Sequence, residues 1–298
     1  MCGFLVVGSS ELELQVFNDA LNQAAYRGPD HQHVSINNGI TWGFNRLSIM
    51  DLSSKGNQPF VYKDCVLVCN GEVYNYHSLK AMLETDYTFK SGSDCEVLIP
   101  LYHKYGIEIL CKFLDAEFAM VIYDAKKDKI LAARDPMGIR PMFYGYHKED
   151  GKICFASEAK GLFPLCQEIM PFPPGHYYED GKFICYNDLS NPKTINNDDL
   201  ETIATNLRLK LEKAVEKRLQ SDAPIGYLLS GGLDSSLVCA IAARLNDQPI
   251  KTFAIGMDTD PIDLKYAKQV ADYLGTDHTE VIMTKEDLLE NLRDVIFH

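Results

Sequence analysis

The sequence predicts two domains of different class: an α+β layered domain over residues 1–187 and part of an α/β domain with a parallel sheet over residues 201–298. Three observations lead there. Residues 1 to about 185 read as short β runs punctuated by turns, with helical stretches between them. The segment NDLSNPKTINNDDL is rich in Asn, Asp, Ser and Pro, which favour turns, and marks a linker at 188–200. Beyond it, apolar strands alternate with helices, the pattern of a parallel sheet covered by helices.

In the first domain the β runs are GFLVVG at 3–8, VLVCNGEV at 66–73, FAMVIYDAKKDKILAARD at 118–135 and PMFYGY at 141–146. The third is a hairpin, because two β runs flank the polar stretch Asp124–Asp128. Residues 15–26 and 94–105 carry apolar side chains at three- and four-residue spacing and predict helices. In the second domain, Ile203, Leu207, Leu211, Val215 and Leu219 recur four apart and predict a helix over 200–220 with one apolar face. Strands follow at 225–229, 251–256 and 279–283, and helices at 233–245, 263–274 and 286–297. Three strands make a short sheet, and the final DVIFH lacks a helix-stop signal, so this domain reads as cut short.

The 298 residues are 46% apolar and 24% charged, with a net charge of -13, which disfavours nucleic acid and anionic membrane surfaces as partners. No basic stretch precedes the short apolar run at the N-terminus, so no secretory signal and no membrane span are expected. Nine scattered cysteines without C-x-x-C spacing indicate neither a disulfide framework nor a zinc site, and fit a reducing, cytoplasmic setting.

Cys2 follows the initiator Met, and a small side chain there permits Met removal. That would leave an α-amine of pKa near 8 on the same residue as the thiol, an in-built general base for a nucleophile. Asn70-Gly71 offers a side-chain amide and a glycine N–H to an oxyanion, or else a plain Asn-Gly turn. Arg46 suits an α-carboxylate, or else solvent. Asp94 suits an α-ammonium, or else caps the helix that follows it.

Cys2-Gly3, Arg27-Gly28-Pro29-Asp30, Arg46-Leu47-Ser48, Asn70-Gly71-Glu72-Val73-Tyr74-Asn75 and Ser91-Gly92-Ser93-Asp94 occur in one fixed order, followed by ARDPMGIRP at 133–141, FASEAK at 155–160 and FPPGHY at 172–177. The set closely resembles the glutaminase domain of class II glutamine amidotransferases, in the asparagine synthetase branch, over residues 1–180. The resemblance implies a four-layer αββα sandwich of the N-terminal-nucleophile type. It implies Cys2 as nucleophile and, through its amine, base, with Asn70 and Gly71 as the oxyanion hole. Arg46, Glu72 and Asp94 would hold glutamine, with Leu47, Ser48, Ile49 and Met50 lining the site. Ala116 stands where the family more often has Gly, which touches packing more than chemistry.

Between a strand and a helix, Ser230-Gly231-Gly232-Leu233-Asp234-Ser235-Ser236 presents glycines, helix N–H groups and two hydroxyls to an anion, and Asp234 to a magnesium ion. It lacks the Walker A pattern. The segment resembles the pyrophosphate loop of ATP pyrophosphatase-type synthetases, which implies that Leu228 and Ile255 border adenine, with Gly256 following; both apolar residues also read as buried strand core. The family's second acidic loop, of SGEGSDE type, does not occur in these residues.

The combined resemblance implies glutamine-dependent asparagine synthesis from glutamine, aspartate and ATP with Mg²⁺ as the metal. Ammonia would attack β-aspartyl-AMP, releasing AMP and pyrophosphate. Two alternatives stay open: a glutaminase alone, and a non-catalytic glutamine-binding or regulatory protein. A homodimer is one assembly left open.

Overall fold

A computed structural model describes residues 1–9, 12–192, 194–259 and 261–298. Lys193, within the expected linker, lies outside the described residues. The chain divides into two units, Met1–Ile195 and Asn196–His298.

Unit 1 is built on β1 (Gly3–Val7), β2 (His31–Asn37), β3 (Ile40–Arg46), β4 (Phe60–Tyr62), β5 (Cys65–Val73), β6 (Ala116–Asp124), β7 (Lys129–Arg134), β8 (Phe143–His147), β9 (Ile153–Ala156), β10 (Cys166–Pro171), β11 (His176–Glu179) and β12 (Lys182–Cys185). They form two six-stranded sheets, ordered β10-β8-β9-β1-β3-β2 and β12-β11-β7-β6-β5-β4, with antiparallel neighbours. Helix α1 (Leu14–Asn22) covers the first sheet, and α2 (Tyr76–Leu83) and α3 (Leu98–Phe113) cover the second.

Side-chain alternation explains the layering. In GFLVV, Leu5 and Val7 pack with Phe17 and Leu21 of α1, while Phe4 and Val6 face the other sheet. In β5, Val66 and Val68 join Phe4, Trp42 and Phe44 between the sheets, while Leu67 and Cys69 pack against Leu79, Leu98 and Leu101 of the helices. Strands buried on both faces are apolar along most of their length, which is why these runs stand out in the sequence. The result is four layers, helix–sheet–sheet–helix.

Several elements differ from expectation. The helix expected over 15–26 ends at Asn22, and Ala25–Arg27 forms a separate 3-10 turn. The run at 94–105 begins as a 3-10 turn over Asp94–Val97 and continues as α3 to Phe113. Asn70-Gly71 is not a turn; both residues lie inside β5.

Unit 2 runs α4 (Leu200–Lys217), β13 (Gly226–Leu228), α5 (Leu233–Leu245), β14 (Lys251–Met257), α6 (Ile262–Leu274), β15 (Asp277–Met283) and α7 (Lys285–Phe297). The strands form a parallel sheet, β13-β14-β15. Val215, Cys239, Ile241, Ala254, Leu264 and Ala267 make its core. The apolar stripe of α4 is buried at Val215 but open at Leu207, which is 62% exposed. Leu228 and Ile255 are 82% and 60% exposed, so neither is the buried strand core the sequence also allowed. Among the described residues, no helix is long and apolar enough to cross a membrane.

Candidate active site in unit 1

Cys2 stands at the entrance to β1, where the pairing of Gly3 with Asn45 brings the ends of β1 and β3 together. Leu47, just past β3, donates its N–H to Cys2 Sγ at 3.3 Å, and the thiol reaches Leu47 O at 3.5 Å. One residue therefore serves the sulfur as acceptor or donor. Burial pushes the Cys2 thiol up, while the Leu47 N–H, the Met1 amine and Arg140 pull it down. The Met1 amine is itself lowered, chiefly by burial and then by Arg27 and Arg140. Arg27 fixes the backbone here: its Nε donates to Cys2 O at 3.0 Å, and its Nη1 pairs with Glu158 Oε1 at 3.0 Å.

Along β5, Asn70 and Glu72 continue the row of Val66 and Val68, on the face where Cys2 packs. Asn70 is buried, and its Nδ2 has no hydrogen-bond partner. A buried amide donor left unpaired costs about 1–3 kcal/mol, so the position is held against stability. Gly71 lies opposite Phe118. The N–H of Phe118 goes to Asp135 Oδ2 at 3.2 Å and its carbonyl to Asp135 N at 2.9 Å, so Gly71 and Phe118 form a non-hydrogen-bonded pair. The Gly71 N–H is thereby directed away from β6, along an edge where Cys69 N–H meets Gln58 Oε1 and Val73 N–H meets Asp94 Oδ2, each at 2.6 Å.

No side chain fits at position 71: a Cβ there would lie 2.6 Å from Glu117 O and 2.9 Å from Phe118 Cβ. Gly71→Ala is expected to destabilise unit 1 by about 1–3 kcal/mol and to displace the Asn70–Gly71 strand. Thermal melting and glutamine turnover, measured on the same preparation, check this.

Three carboxyl groups gather beside Asn70. Asp94 is buried and accepts from Val73 N at 2.6 Å; burial pushes its carboxyl up, against the pull of backbone donors. It caps no helix through its side chain: the residue before the 3-10 turn is Ser93, and Asp94 reaches across to β5. Glu72 faces Glu117 directly across the β5–β6 ladder. Glu72 is pushed up to about 8, by burial first and then by Asp94, with Arg140 opposing. Its neutral form therefore suits the ligand-free fold. That contribution to stability is full below the ordinary carboxylate range and is lost as pH rises through about 8.

Arg46 is buried rather than solvated, and its guanidinium is turned onto its own loop. Nη1 donates to Ser53 O and Asn57 Oδ1, both at 2.7 Å; Nη2 donates to Met50 O at 3.3 Å and to Asp51 O. The loop is tied down further by Ser48 N–H to Asp30 Oδ2 and Gly92 N–H to Asp51 Oδ2, each at 2.7 Å. Leu47, Ser48, Ile49 and Met50 thus span the gap between Cys2 and the Arg46 clamp. A cavity of about 420 Å³ lies beside this loop and is lined by Asp30, Arg46 and Ser48, but not by Cys2 or Asn70.

In unit 2, Ser230-Gly231-Gly232 links β13 to the N-terminus of α5. Gly231 has φ +75, and a Cβ there would lie 2.5 Å from the Tyr266 backbone, so only glycine fits. Ser230 N–H donates to Ser235 Oγ at 3.2 Å, and the two hydroxyls lie 3.0 Å apart. Ser236 Oγ is buried without a partner, at the first turn of a helix, where N–H groups point at an anion. Leu228 pairs with Phe253, placing Ile255 on the same exposed face one step along β14, before Gly256. Asp234 lies in the first turn of α5, but among the described residues no group of three or more His, Cys, Asp or Glu gathers to hold a metal.

Arg27, Tyr74, Arg140 and Glu158 lie within the motifs, but the sequence assigns them no role. Each orients a site group: Arg140 Nη2 pairs with Glu117 Oε1 at 3.1 Å, and Tyr74 OH donates to the same oxygen at 2.7 Å. The available signal was a charged residue set in an otherwise apolar β run, as Glu117 is in AEFAMVIYD.

A family model described as a glutamine amidotransferase domain matches residues 1–176, and one described as asparagine synthase matches residues 206–298. A probable glutamine-hydrolysing asparagine synthetase of Schizosaccharomyces pombe is 40% identical, over 100% of this chain and 58% of that protein. The glutamine-hydrolysing asparagine synthetase B of Escherichia coli is 40% identical, over 92% of this chain and 52% of that protein. The chain thus spans about half the length of the curated relatives it matches. Among solved structures, a glutamine phosphoribosylpyrophosphate amidotransferase from B. subtilis aligns with a TM-score of 0.52 at 17% identity, over 94% of this chain and 65% of that one. A structure described as the allosteric regulatory enzyme of purine biosynthesis aligns with a TM-score of 0.54 at 15% identity, over 95% of this chain and 80% of that one. Both show likeness of fold.

Proposed function

The chain belongs to the glutamine amidotransferase domain family, and from that membership we propose that unit 1 hydrolyses glutamine at Cys2 to glutamate and ammonia. The observation that carries this is the buried, unpartnered Asn70 amide beside an outward Gly71 N–H, on the face of β5 where Cys2 packs. Once Met1 is removed, the α-amine of Cys2 takes the thiol proton. Sγ then attacks the side-chain carbonyl carbon of glutamine, and the carbonyl oxygen gains negative charge facing Asn70 Nδ2 and Gly71 N–H. Collapse breaks the C–N bond, and the protonated amine supplies the proton that releases ammonia. Water, deprotonated by the same amine, cleaves the thioester and frees glutamate.

Glu72 and Asp94 receive the α-ammonium. Arg46 meets the α-carboxylate, which competes with the Met50 carbonyl for Nη2, the longest of the clamp contacts at 3.3 Å. Leu47, Ser48, Ile49 and Met50 form the wall between them.

Unit 2 takes the ammonia into asparagine synthesis in this proposal, with aspartate activated by ATP as β-aspartyl-AMP and with AMP and pyrophosphate released. The match of residues 206–298 and the names of the relatives support this. Within an ATP pyrophosphatase-type domain, Ser230, Gly231, Gly232, Ser235 and Ser236 would hold the pyrophosphate, Leu228, Ile255 and Gly256 would border the nucleotide, and Asp234 would reach Mg²⁺. Glutamine hydrolysis alone is the second reading, because among the described residues no group of three or more His, Cys, Asp or Glu gathers to hold a metal.

Incubation of the chain with glutamine, aspartate, ATP and Mg²⁺, with glutamate and asparagine followed together, tests both. Glutamate with asparagine is expected from the full proposal, and glutamate without asparagine from the second reading. No glutamate at all overturns the assignment of unit 1.

A further inference from the structure

Glu72 and Glu117 sit directly opposite each other on β5 and β6, on the face that packs toward the first sheet. When both are ionised, two carboxylates so placed repel one another and destabilise the strand pair unless a counter-charge lies beside them. The counter-charge is Arg140. It is 5% exposed, its Nη2 pairs with Glu117 Oε1 at 3.1 Å, and its Nε is buried with no hydrogen-bond partner. Its backbone is clamped at both ends: Arg140 N–H donates to Asp135 Oδ2 at 3.1 Å, and Arg140 O accepts from Arg134 Nε at 2.8 Å. Asp135 is buried and also accepts from Ile139 N at 3.0 Å, so the loop that carries the guanidinium is tied to one buried carboxylate. Tyr74 OH, donating to Glu117 Oε1 at 2.7 Å, fixes the other partner.

We propose that Arg140 is a positioning residue of the glutamine pocket: through its ion pair with Glu117 it holds a fixed positive charge beside Glu72 and so sets the pH window in which the pocket accepts the α-ammonium of glutamine.

This rests on the glutaminase reading for its substrate, but not for its electrostatics. The groups that act on Glu72 come from four elements: Asp94 from the 3-10 turn before α3, Glu117 from β6, Arg140 from the loop after β7, and the terminal amine ahead of β1. Asp94 and Glu117 favour the neutral acid; Arg140 and the amine favour the carboxylate. An α-ammonium binds the carboxylate. Glutamine affinity therefore rises as pH rises through about 8, and loss of Arg140 moves that limb to higher pH.

The test is a carboxyl-carbon NMR titration of the whole chain carrying labelled glutamate. The Glu72 signal is identified by its loss in Glu72→Gln. Arg140→Gln is expected to raise the Glu72 midpoint by about one pH unit or more, and Arg140→Lys to bring it back toward wild type. The KM for glutamine is expected to follow the same displacement. Identical Glu72 titration in wild type and Arg140→Gln overturns the proposal. So does failure of Arg140→Lys to restore the midpoint in a protein that melts as wild type. If the wild-type chain releases no glutamate, the glutaminase reading fails, and the titration still decides the role of Arg140.

Discussion

Replacing Cys2 with alanine is expected to bring glutamate release down to background, a loss on the order of 10⁴- to 10⁶-fold. The size follows from chemistry that no neighbour can replace. The other thiols near the site, Cys69 and Cys95, are buried at 1% and 3% exposure, and Cys69 lies on the face of β5 that packs against the helices. Leu47 N–H is aimed at Sγ of Cys2 and at nothing a methyl group can supply. Glutamine binding should survive, because Glu72, Asp94 and Arg46 are untouched. A fall in kcat with retained affinity, measured by calorimetric titration of the variant with glutamine, separates loss of the nucleophile from loss of the pocket.

Asn70→Ala is expected to lower kcat by about 10²- to 10³-fold with little change in KM. A ground-state carbonyl gains little from the amide, whereas the oxyanion gains a charge-assisted hydrogen bond from a buried donor. Stability should move the other way from most core truncations. The Asn70 Nδ2 makes no hydrogen bond, so its removal orphans no partner and relieves a buried unpaired donor. The loss of side-chain volume offsets part of that gain. A variant that melts at or near the wild-type temperature while turning over hundreds of times more slowly identifies a group kept for catalysis. Equal losses in stability and rate would make Asn70 a packing residue instead.

Strands buried on both faces were legible from apolar runs such as FLVV in β1 and VLVC in β5, and unit 2 from short β runs alternating with stretches of helical period. β2 is an edge strand reading HQHVSIN, with mixed exposure and no clean period, and went unseen. The four-residue strands β9, β11 and β12 are too short to carry a pattern. At the site, residue types announced Cys2, Asn70 and Asp94, but their alternatives fell only with the fold. Asn70 lies mid-strand, Asp94 reaches to Val73 rather than capping a helix, and Arg46 is buried. The partners that orient these groups are remote in sequence: Arg27 meets Glu158 across 131 positions, and Arg140 meets Glu117 across 23. Local pattern holds no information on such pairs. Leu228 and Ile255 show the converse error, because strand periodicity marks a residue as apolar without saying whether anything covers it.

The most direct test of the central claim is to treat the whole chain with an electrophilic glutamine analogue and locate the adduct by peptide mass spectrometry. A single glutamyl-type adduct on the sulfur of Cys2, in a chain whose N-terminal residue is Cys2 itself, and blocked by excess glutamine, is the expected result. An adduct on another cysteine, or an unmodified Cys2 still preceded by Met1 in protein that hydrolyses glutamine, would contradict it.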